Sequence, residues 1–554
     1  MNAAVLGLIG IIAFLLAYRF YARYLATKVF KLAEIEGQTP AHTQRDEVDY
    51  IPTSKNILVG HHFSSIAGAA PIVGPAVAAI WGWLPALLWI VFGVIFMGAC
   101  HDFGALFISM KHKGNSIAFV AEKLLGKRVQ TLFLIIIFFL VWMVIAVFAL
   151  VIANLFIKFP GAVLPVNFEI FIALAMGYFI NKKGGSLTLP SILAQATLLI
   201  MIVLGTKYPI SLSGMFGEHE LMAWIVFLLM YSFIASILPV WALLQPRDYI
   251  NSHQLTVGLT LMILGLFITR PEVVAPMTNF GAEGSPDWFP YLFITIACGA
   301  ISGFHGLVSS GTTSKQVATW KDAKPIGYGS MLGEGLLALL ATLAVTAGFA
   351  SQEQWHSHYA NWNAANGLSA KISAFVLGAG KFVAGLGIPE DVSQTVIAVL
   401  IISFAATSLD TACRIQRYII AEFGAALKIK TLENRYVGSS IAVGSAFLLM
   451  LTNKGGKGGL YLWPLFGATN QMLAGLTLIL ISVYMIKNKL NHIPFILPAA
   501  FVILITSLGL SMNIKLYVSA QNWFLTTIGI ILFISQIWVI AEAIIGIRNA
   551  KKMI

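Results

Sequence analysis

Residues 60–75 read GHHFSSIAGAAPIVGP inside an otherwise apolar part of the chain. Proline lacks a backbone N–H, so a helix through this stretch loses hydrogen bonds that its neighbours must replace. Pro71 suits the first turn of a new helix, where its missing N–H costs nothing. The stretch therefore predicts a helix that breaks near Gly68 and resumes near Pro71.

The composition around this stretch indicates that lipid is the solvent of the chain. Of its 554 residues 58% are hydrophobic and 10% are charged, whereas an ordinary soluble domain has roughly 25% charged residues. The net charge is +12, but the basic residues are scattered in short loops, which argues against a nucleic-acid partner. Cys100, Cys298 and Cys413 lie apart in apolar surroundings and are interpreted as packing residues, not as a disulfide or metal framework.

Many segments are long and apolar enough to cross a bilayer. A span needs about 20 mostly apolar residues, and inside lipid a helix satisfies its own backbone hydrogen bonds. We therefore predict an all-α integral membrane protein with about fifteen transmembrane helices. The predicted spans are Ala3–Ala26, Gly60–Trp81, Leu84–Ser109, Val129–Ile157, Val163–Ile180, Thr188–Gly205, Leu221–Leu244, Gln254–Thr269, Pro290–Ser310, Gly327–Ala350, Val392–Cys413, Val437–Thr452, Leu460–Ile486, Ile493–Ser511 and Trp523–Ile547.

The basic residues predict the orientation of these spans. If the N-terminus lies outside and the glycine-rich segment 371–386 does not cross, the loops rich in Lys and Arg share the cytoplasmic side. The opposite side then receives Glu272, Glu283 and Asp287 and a stretch, 351–369, without any Lys or Arg. We expect the N-terminus outside, the C-terminus inside and segment 371–386 re-entrant or interfacial.

A second proline-containing break is expected five spans after the first. Leu221–Leu244 runs in the opposite direction and contains Leu238-Pro239. Either proline could be an ordinary kink, but matching breaks in oppositely oriented spans indicate an inverted-repeat transporter with its site at the midplane. The predicted units are an N-terminal helix with a cytoplasmic loop (1–59), a first five-helix repeat (60–205), a second five-helix repeat with the re-entrant segment (221–427) and C-terminal helices (436–554).

Two half-helix N-termini aimed at the centre would attract an anion, because they carry partial positive charge and free N–H donors. This predicts an anionic or zwitterionic substrate near residues 69–74 and 237–239. The candidate substrate-binding residues are His61, His62, Ser65, Gly68, Ala69, Pro71, Pro239, Gln245 and His305.

Ionisable residues within spans are candidates for proton coupling, because a charge in hydrocarbon is costly. Glu334 is the first candidate, and a carboxylate that only fixes helix packing is the alternative. Asp102 and Asp410 lie near cytoplasmic ends, where Asp410 could instead pair with Arg414 or Arg417 at helical spacing. His61, His62 and His305 titrate near neutral pH and are possible proton carriers, although a lone buried histidine is more often structural.

Three further polar groups have less specific interpretations. Hydroxyls concentrate at Ser309, Ser310, Thr312 and Thr313, which could ligate Na⁺ or simply cap a helix. Arg247-Asp248 is interpreted as an inner gate or topology anchor. Asn470-Gln471 are polar residues in an apolar span that could bond helices together. No nucleotide-binding loop or hydrolase motif appears, so neither an enzyme nor a cofactor is predicted.

Five stretches of the chain carry a resemblance to a known family: residues 60–75, 238–249, 301–305 continuing to 309–313, 328–335 and 463–471. Together they resemble the carbon starvation protein A family of bacterial inner-membrane proteins. The resemblance implies uptake of pyruvate or small peptides during nutrient limitation and a relationship to LeuT-type transporters. In that fold a cation site lies between the first broken helix and hydroxyls of the eighth core helix, here mapped to Ala69, Ala70 and Ser309–Thr313.

The leading functional hypothesis is a secondary transporter that imports a small carboxylate such as pyruvate by H⁺ or Na⁺ symport. Uptake of di- or tripeptides is the alternative within transport. An ion channel, a membrane receptor and an intramembrane enzyme are the alternatives from other classes. The predicted partners are the lipid bilayer and a small-molecule substrate.

Overall fold

The computed structural model describes residues 1–183, 188–452 and 458–552, and these residues form helices without a β-strand. Within them twelve helices are long and apolar enough to cross a membrane, and a bent pair, residues 55–66 with 70–81, makes up to thirteen. The chain is therefore a multi-pass membrane protein.

The helices follow one another along the chain in two halves. In the first half they are α1 (Ala3–Leu16), α2 (Ala22–Tyr24), α3 (Pro40–Thr43), α4 (Lys55–Ile66), α5 (Ala70–Ala78), α6 (Trp83–Gly93), α7 (Ala99–Lys111), α8 (Ile117–Leu125), α9 (Lys127–Lys158), α10 (Val163–Lys183), α11 (Thr188–Lys207), α12 (Ser213–Phe216), α13 (Glu220–Ile237) and α14 (Leu244–Thr269). In the second half they are α15 (Trp288–Thr295), α16 (Ala297–Ala300), α17 (Gly303–Gly311), α18 (Ser330–Ala347), α19 (Gln352–His358), α20 (Trp362–Asn366), α21 (Leu368–Ala384), α22 (Glu390–Leu427), α23 (Arg435–Leu451), α24 (Gly458–Lys487), α25 (Ile493–Ser519) and α26 (Trp523–Lys552).

The predicted number of fifteen crossings is not confirmed. One predicted span, 290–310, is divided among three short helices, and another corresponds to α23, which has 17 residues. Helix α21, also of 17 residues, is not among the candidate spans. Its place as a re-entrant segment therefore stays a prediction.

The break predicted in residues 60–75 is confirmed. Helix α4 ends at Ile66, α5 begins at Ala70 with Pro71 in its first turn, and the two are bent by 46°. Gly68 packs against Phe148 and Ser408, and a Cβ there would lie 2.8 and 2.9 Å from their side-chain atoms. The interruption thus combines a proline that begins a helix with a glycine that permits close packing.

The second predicted break, at Leu238-Pro239, is wrong. Helix α13 ends at Ile237 and α14 runs for 26 residues from Leu244, so each is a full-length candidate span. Pro239 lies in the turn between them, where Val240 N–H donates to Val48 O at 3.2 Å. A proline between two complete spans interrupts neither, which is why the proline pattern misled the prediction.

The second interrupted helix is α15–α17. Ile301 and Ser302 are extended, with φ/ψ of −160°/130° and −134°/129°. The Asn470 side chain on α24 compensates the break, because its Oδ1 accepts from Phe304 N at 2.9 Å and from Ser302 Oγ at 3.2 Å. This confirms that Asn470 bonds helices together. The sequence gives little sign of the break, since residues 297–303 contain glycines but no proline.

The two interrupted helices lie antiparallel and in contact. Helix α4 packs on α17, whereas α5 packs on α15 and α16. A Cβ on Gly74 would collide with the Thr295 carbonyl oxygen, and one on Gly299 would lie 3.7 Å from Pro71 Cα. The long helices α9 and α22 pack on each other beside this pair. The antiparallel pair that the sequence predicted therefore exists, with a different second member.

The connecting segments gather at two ends of the molecule. At one end Thr53 N–H donates to Gln316 O at 2.9 Å, and Trp320 Nε1 donates to Gly37 O at 3.1 Å. At the other end Trp362 N–H donates to Glu283 O at 2.9 Å. The first end collects the basic segments predicted to be cytoplasmic and the second the acidic loop predicted to be outside.

Candidate functional site

A buried cluster of ionisable side chains, the His305 network, lies beside the break in the second interrupted helix. It joins α7, α17 and α18 through His101, Asp102, His305 and Glu334, none of which is more than 1% exposed. His305 Nδ1 lies 3.0 Å from Asp102 Oδ2, and His305 Nε2 lies 3.1 Å from Glu334 Oε2. His101 Nδ1 lies 2.8 Å from Asp102 Oδ1. The fold thus brings three of the predicted candidates into direct contact.

The geometry of the His305 network determines where a proton can be gained or lost. Asp102 has a hydrogen-bond partner on each oxygen, His101 on Oδ1 and His305 on Oδ2. Neither oxygen of Glu334 has a hydrogen-bond partner among the described residues, so Glu334 meets His305 only through the 3.1 Å ion-pair contact. Even a protonated His305 supplies one positive charge for two carboxylates, which leaves one negative charge in excess, and an uncompensated buried charge is costly. Glu334 is therefore the carboxyl that this geometry leaves for a mobile proton.

A second buried cluster, the Arg247 network, joins side chains of α10, α13, α14 and α22. Arg247 on α14 forms an ion pair with Asp410 on α22, donates to Tyr231 OH at 2.6 Å, and places Nε 3.8 Å from Glu169 Oε1. Asp410 also accepts from Tyr231 OH at 2.9 Å and from Ser232 Oγ at 3.1 Å. One guanidinium therefore neutralises carboxylates that come from two other helices.

The Arg247 network corrects one interpretation of the sequence, because Asp410 pairs with Arg247 and not with Arg414 or Arg417. Arg247 is buried, and its role as an inner gate or topology anchor stays a prediction. Glu169 was missed, although it lies within a predicted span and the rule that selected Glu334 applies to it equally. Tyr231 was missed because an aromatic residue in a span gives no sign of a polar partner.

The two histidines of the first interrupted helix reach different neighbours. His61 Nδ1 contacts Asp248 Oδ2, and its Nε2 lies 3.4 Å from Thr312 Oγ1. His62 Nδ1 lies 2.9 Å from Thr313 Oγ1, while its Nε2 is buried without a hydrogen-bond partner among the described residues. Both histidines thus link α4 to the end of the second interrupted helix, and His61 also links it to α14.

The hydroxyls proposed for a cation site are mostly engaged elsewhere. Ser310 Oγ donates to Gly306 O at 2.7 Å and Thr312 Oγ1 to Val308 O at 3.0 Å, bonds typical of hydroxyls in a helix. Ser309 Oγ is buried without a hydrogen-bond partner among the described residues. These two hydroxyls therefore donate within their own helix and not to Ala69 or Ala70.

The hydroxyls that hold the end of α4 come instead from α22. Ser408 Oγ donates to Ser65 O at 2.9 Å, and Thr411 Oγ1 lies 3.3 Å from Ser65 Oγ. Both were missed because nothing in the sequence tells which helix faces the break. Ser65, by contrast, is found at the interruption, as its candidate role requires.

Two candidate substrate residues lie at the basic end and away from the interruptions. Gln245 Nε2 donates to Thr53 Oγ1 at 3.0 Å and to Gln316 Oε1 at 2.8 Å. Pro239 follows Leu238, whose carbonyl accepts from Arg414 Nη2 at 2.6 Å. The structure therefore does not bring Pro239 and Gln245 together with Pro71.

A third polar cluster closes the basic end around Asp49. Arg414 Nη1 lies 3.2 Å and Arg417 Nη2 3.6 Å from its carboxylate, and Tyr418 OH donates to it at 2.6 Å. Burial by itself would raise the pKa of Asp49, but the positive charges of Lys315, Arg414 and Arg417 outweigh it and lower that pKa below its ordinary value. Asp49 thus ties the segment before α4 to α22.

We expect Asp49→Asn to weaken this closure. Because the folded-state pKa is lowered, the stabilisation by Asp49 is present at neutral pH and is lost as the pH falls through the lowered pKa. Melting in detergent at pH 7 should show a lower temperature for Asp49→Asn than for the wild type, and the difference should shrink in strongly acidic buffer. Glu47→Gln is the matched control, because exposed Glu47 pairs with Arg45 only at the surface. A difference between Asp49→Asn and wild type that is independent of pH would contradict the ion-pair interpretation.

The fold is that of known membrane transporters. The chain is similar to crystal structures of two mutants of the Eremococcus coleocola manganese transporter, with TM-scores of 0.51 and 0.52 at 12% identity, covering 91% of this chain and 99% of that chain. At such identity the likeness concerns the fold alone. In the described residues no group of three or more His, Cys, Asp or Glu side chains could hold a metal ion. The chain therefore has a fold that membrane transporters adopt.

Comparison of the sequence with known protein families identifies the family of this chain. A model of the carbon starvation protein CstA family matches residues 2–366 and 348–509, and the chain belongs to this family. It is 33% identical to a protein of Bacillus subtilis named peptide transporter CstA, covering 88% of this chain and 86% of the relative. It is 31% identical to a protein of the same name from Campylobacter jejuni, covering 92% and 80%. It is 32% identical to a protein of Escherichia coli named pyruvate/proton symporter BtsT, covering 90% and 80%.

Proposed function

We propose that this protein is a bacterial inner-membrane symporter that imports pyruvate or a similar small carboxylate together with a proton. The observation that carries the proposal is the contact of His305 with both Asp102 and Glu334, one turn after the break in α15–α17. A transporter couples two solutes when the binding of one changes the state of a group that the other senses. Glu334, with neither oxygen hydrogen-bonded among the described residues, is such a group for a proton.

The position of this network supports alternating access. His305 lies on α17, which contacts the first interrupted helix, and Glu334 lies on α18, which contacts both α4 and α5. Protonation of Glu334 would remove its charge and weaken its attraction to His305. The proton would thereby alter the contact between α17 of the second interrupted helix and α18, at the place where these transporters bind solute.

Several features support a carboxylate as the co-transported solute. Extended residues 301 and 302 and the start of α5 leave helix N-termini near the contact of the two broken helices, and such N-termini favour anions. One relative is named a pyruvate/proton symporter. Peptide uptake is the second candidate, since two other relatives are named peptide transporters. Na⁺ remains the alternative coupling ion, with Ser408, Thr411 and Ser65 as the hydroxyls nearest the break.

Uptake by the purified protein in proteoliposomes tests the proposal. We expect labelled pyruvate to accumulate when the lumen is more alkaline than the medium, and an imposed Na⁺ gradient to give no accumulation. Labelled dialanine in parallel vesicles tests the second candidate, and protein-free liposomes give the background. Accumulation driven by Na⁺ only would overturn proton coupling. Accumulation of dialanine without pyruvate would replace the substrate.

A further inference from the structure

A cavity of about 210 Å³ opens at the basic end of the molecule, separate from the His305 network. Helices α9, α17 and α22 form its walls, with the start of α8 and Tyr50 at its rim. Leu307 and Ser310 on α17 line it, so it begins about half a turn beyond His305, or on the order of 3 Å along the helix. The Arg247 and Asp49 networks leave this space unfilled.

The cavity is lined by one lysine and one glutamate, and the positive charge of that lysine also acts on the Asp49 carboxylate. Lys315 and Glu422 both line it, yet they form no ion pair within 4 Å of each other. Glu422 Oε2 is buried without a hydrogen-bond partner among the described residues. Lys315 Nζ lies 4.0 Å from the centre of the Tyr418 ring and 5.3 Å from that of Tyr50, so two aromatic faces hold the ammonium group. Two opposite charges held apart across one cavity suit a ligand that carries both charges.

The remaining wall of the cavity is aliphatic. Ile137 on α9, Leu307 on α17, and Ile415 and Ile419 on α22 line it. A ligand with an apolar side chain would bury that side chain there and be stabilised by the hydrophobic effect. Pyruvate has neither an ammonium group for Glu422 nor a side chain for this wall. The lining therefore fits an amino acid with an aliphatic side chain better than it fits the proposed substrate.

We propose that this cavity is a second solute site, which takes a free aliphatic amino acid from the cytoplasm and thereby inhibits transport. The ligand's ammonium group would meet Glu422, its carboxylate would meet Lys315, and its side chain would lie against the four aliphatic residues. A ligand there would join α17 of the second interrupted helix to α9 and α22 and hold them in one arrangement. The inhibitory part of this inference rests on the proposed transport function, whereas the binding part does not.

Binding of L-leucine to the purified full-length protein tests the site directly. In calorimetric titrations we expect leucine to bind, and leucine methyl ester and 4-methylpentanoate, which lack the carboxylate and the ammonium group respectively, to bind at least about tenfold more weakly. This comparison needs no variant, so it holds even if a substitution impairs folding. Equal affinity for the three compounds, or no binding of leucine, would overturn the proposal. Tenfold tighter binding of glycyl-leucine would overturn the assignment to a free amino acid.

Substitutions locate the site and separate its failure from failure of the transport proposal. We expect Glu422→Gln and Lys315→Gln each to weaken leucine binding at least about tenfold. Glu433→Gln and Lys430→Gln, exposed at the same end, are the matched controls and should bind like the wild type. Leucine enclosed in proteoliposomes should slow pyruvate uptake by the wild type but not by Glu422→Gln. Binding without such inhibition would overturn the inhibitory role only, whereas absence of any uptake would count against the proposed function and leave the titrations decisive for the site.

Discussion

Replacing Glu334 with glutamine is expected to abolish accumulation of substrate while exchange across the membrane continues. Glutamine has nearly the same shape but cannot gain or lose a proton, so the carboxyl position of residue 334 no longer exchanges protons. His305 keeps its contact with Asp102. In proteoliposomes with an imposed pH gradient, the ratio of internal to external substrate should fall to about one, whereas counterflow should remain within roughly tenfold of the wild type.

The control for this prediction is Glu353→Gln, which removes an exposed carboxylate from the opposite end of the protein. We expect Glu353→Gln to accumulate substrate as the wild type does. Normal accumulation by Glu334→Gln would show that Glu334 only fixes helix packing, which is the alternative to a coupling role. Loss of both accumulation and counterflow would show that it binds substrate and would also contradict its assignment as a coupling group.

Replacing Arg247 with methionine is expected to destabilise the protein more than any other single change discussed. Arg247 is 1% exposed and faces Asp410 and Glu169 in a closed space. Its removal leaves buried carboxylates without a counter-charge, a change that typically costs about 3–5 kcal/mol. The apparent melting temperature in detergent should fall markedly, and the yield of monodisperse protein should fall with it.

A double variant distinguishes this charge effect from a simple loss of packing. Arg247→Met combined with Asp410→Asn removes the guanidinium and one carboxylate together, so it should melt at a higher temperature than Arg247→Met by itself. Arg435→Met is the control, because Arg435 is exposed and contacts Tyr436 only at the surface. Equal melting of the single and double variants would indicate that the packing of the long side chain, and not its charge, stabilises this part of the core.

The sequence predicted well those features that depend on a few adjacent residues. Pro71 begins a helix because the fixed backbone of proline and its missing N–H act within one turn, and the break between α4 and α5 is where residues 67–69 placed it. The apolar spans follow from the composition of about 20 consecutive residues. Glu334 was found because a carboxylate in an apolar run is visible without knowledge of its partners.

Features that depend on residues far apart in the chain were predicted poorly. The break at residues 301–302 is compensated by Asn470, about 170 residues later, so its local sequence needs no proline. Asp410 was assigned to Arg414 or Arg417 because they follow it at helical spacing, but the structure pairs it with Arg247 on α14. A buried helix has neighbours on every side. The spacing of residues along that helix therefore does not determine which neighbouring helix each residue contacts.

The sequence by itself determined that lipid surrounds this protein, where the first interrupted helix breaks, which family the chain belongs to and that ionisable groups lie inside the spans. Each of these features depends on short, contiguous segments of the chain. Only the tertiary structure decided which helix carries the second interruption, which carboxylates share His305 and which share Arg247. The physical reason is that a buried charge is stable only beside its counter-charge, and the counter-charges here lie on other helices, brought within hydrogen-bonding distance by packing that no local pattern encodes.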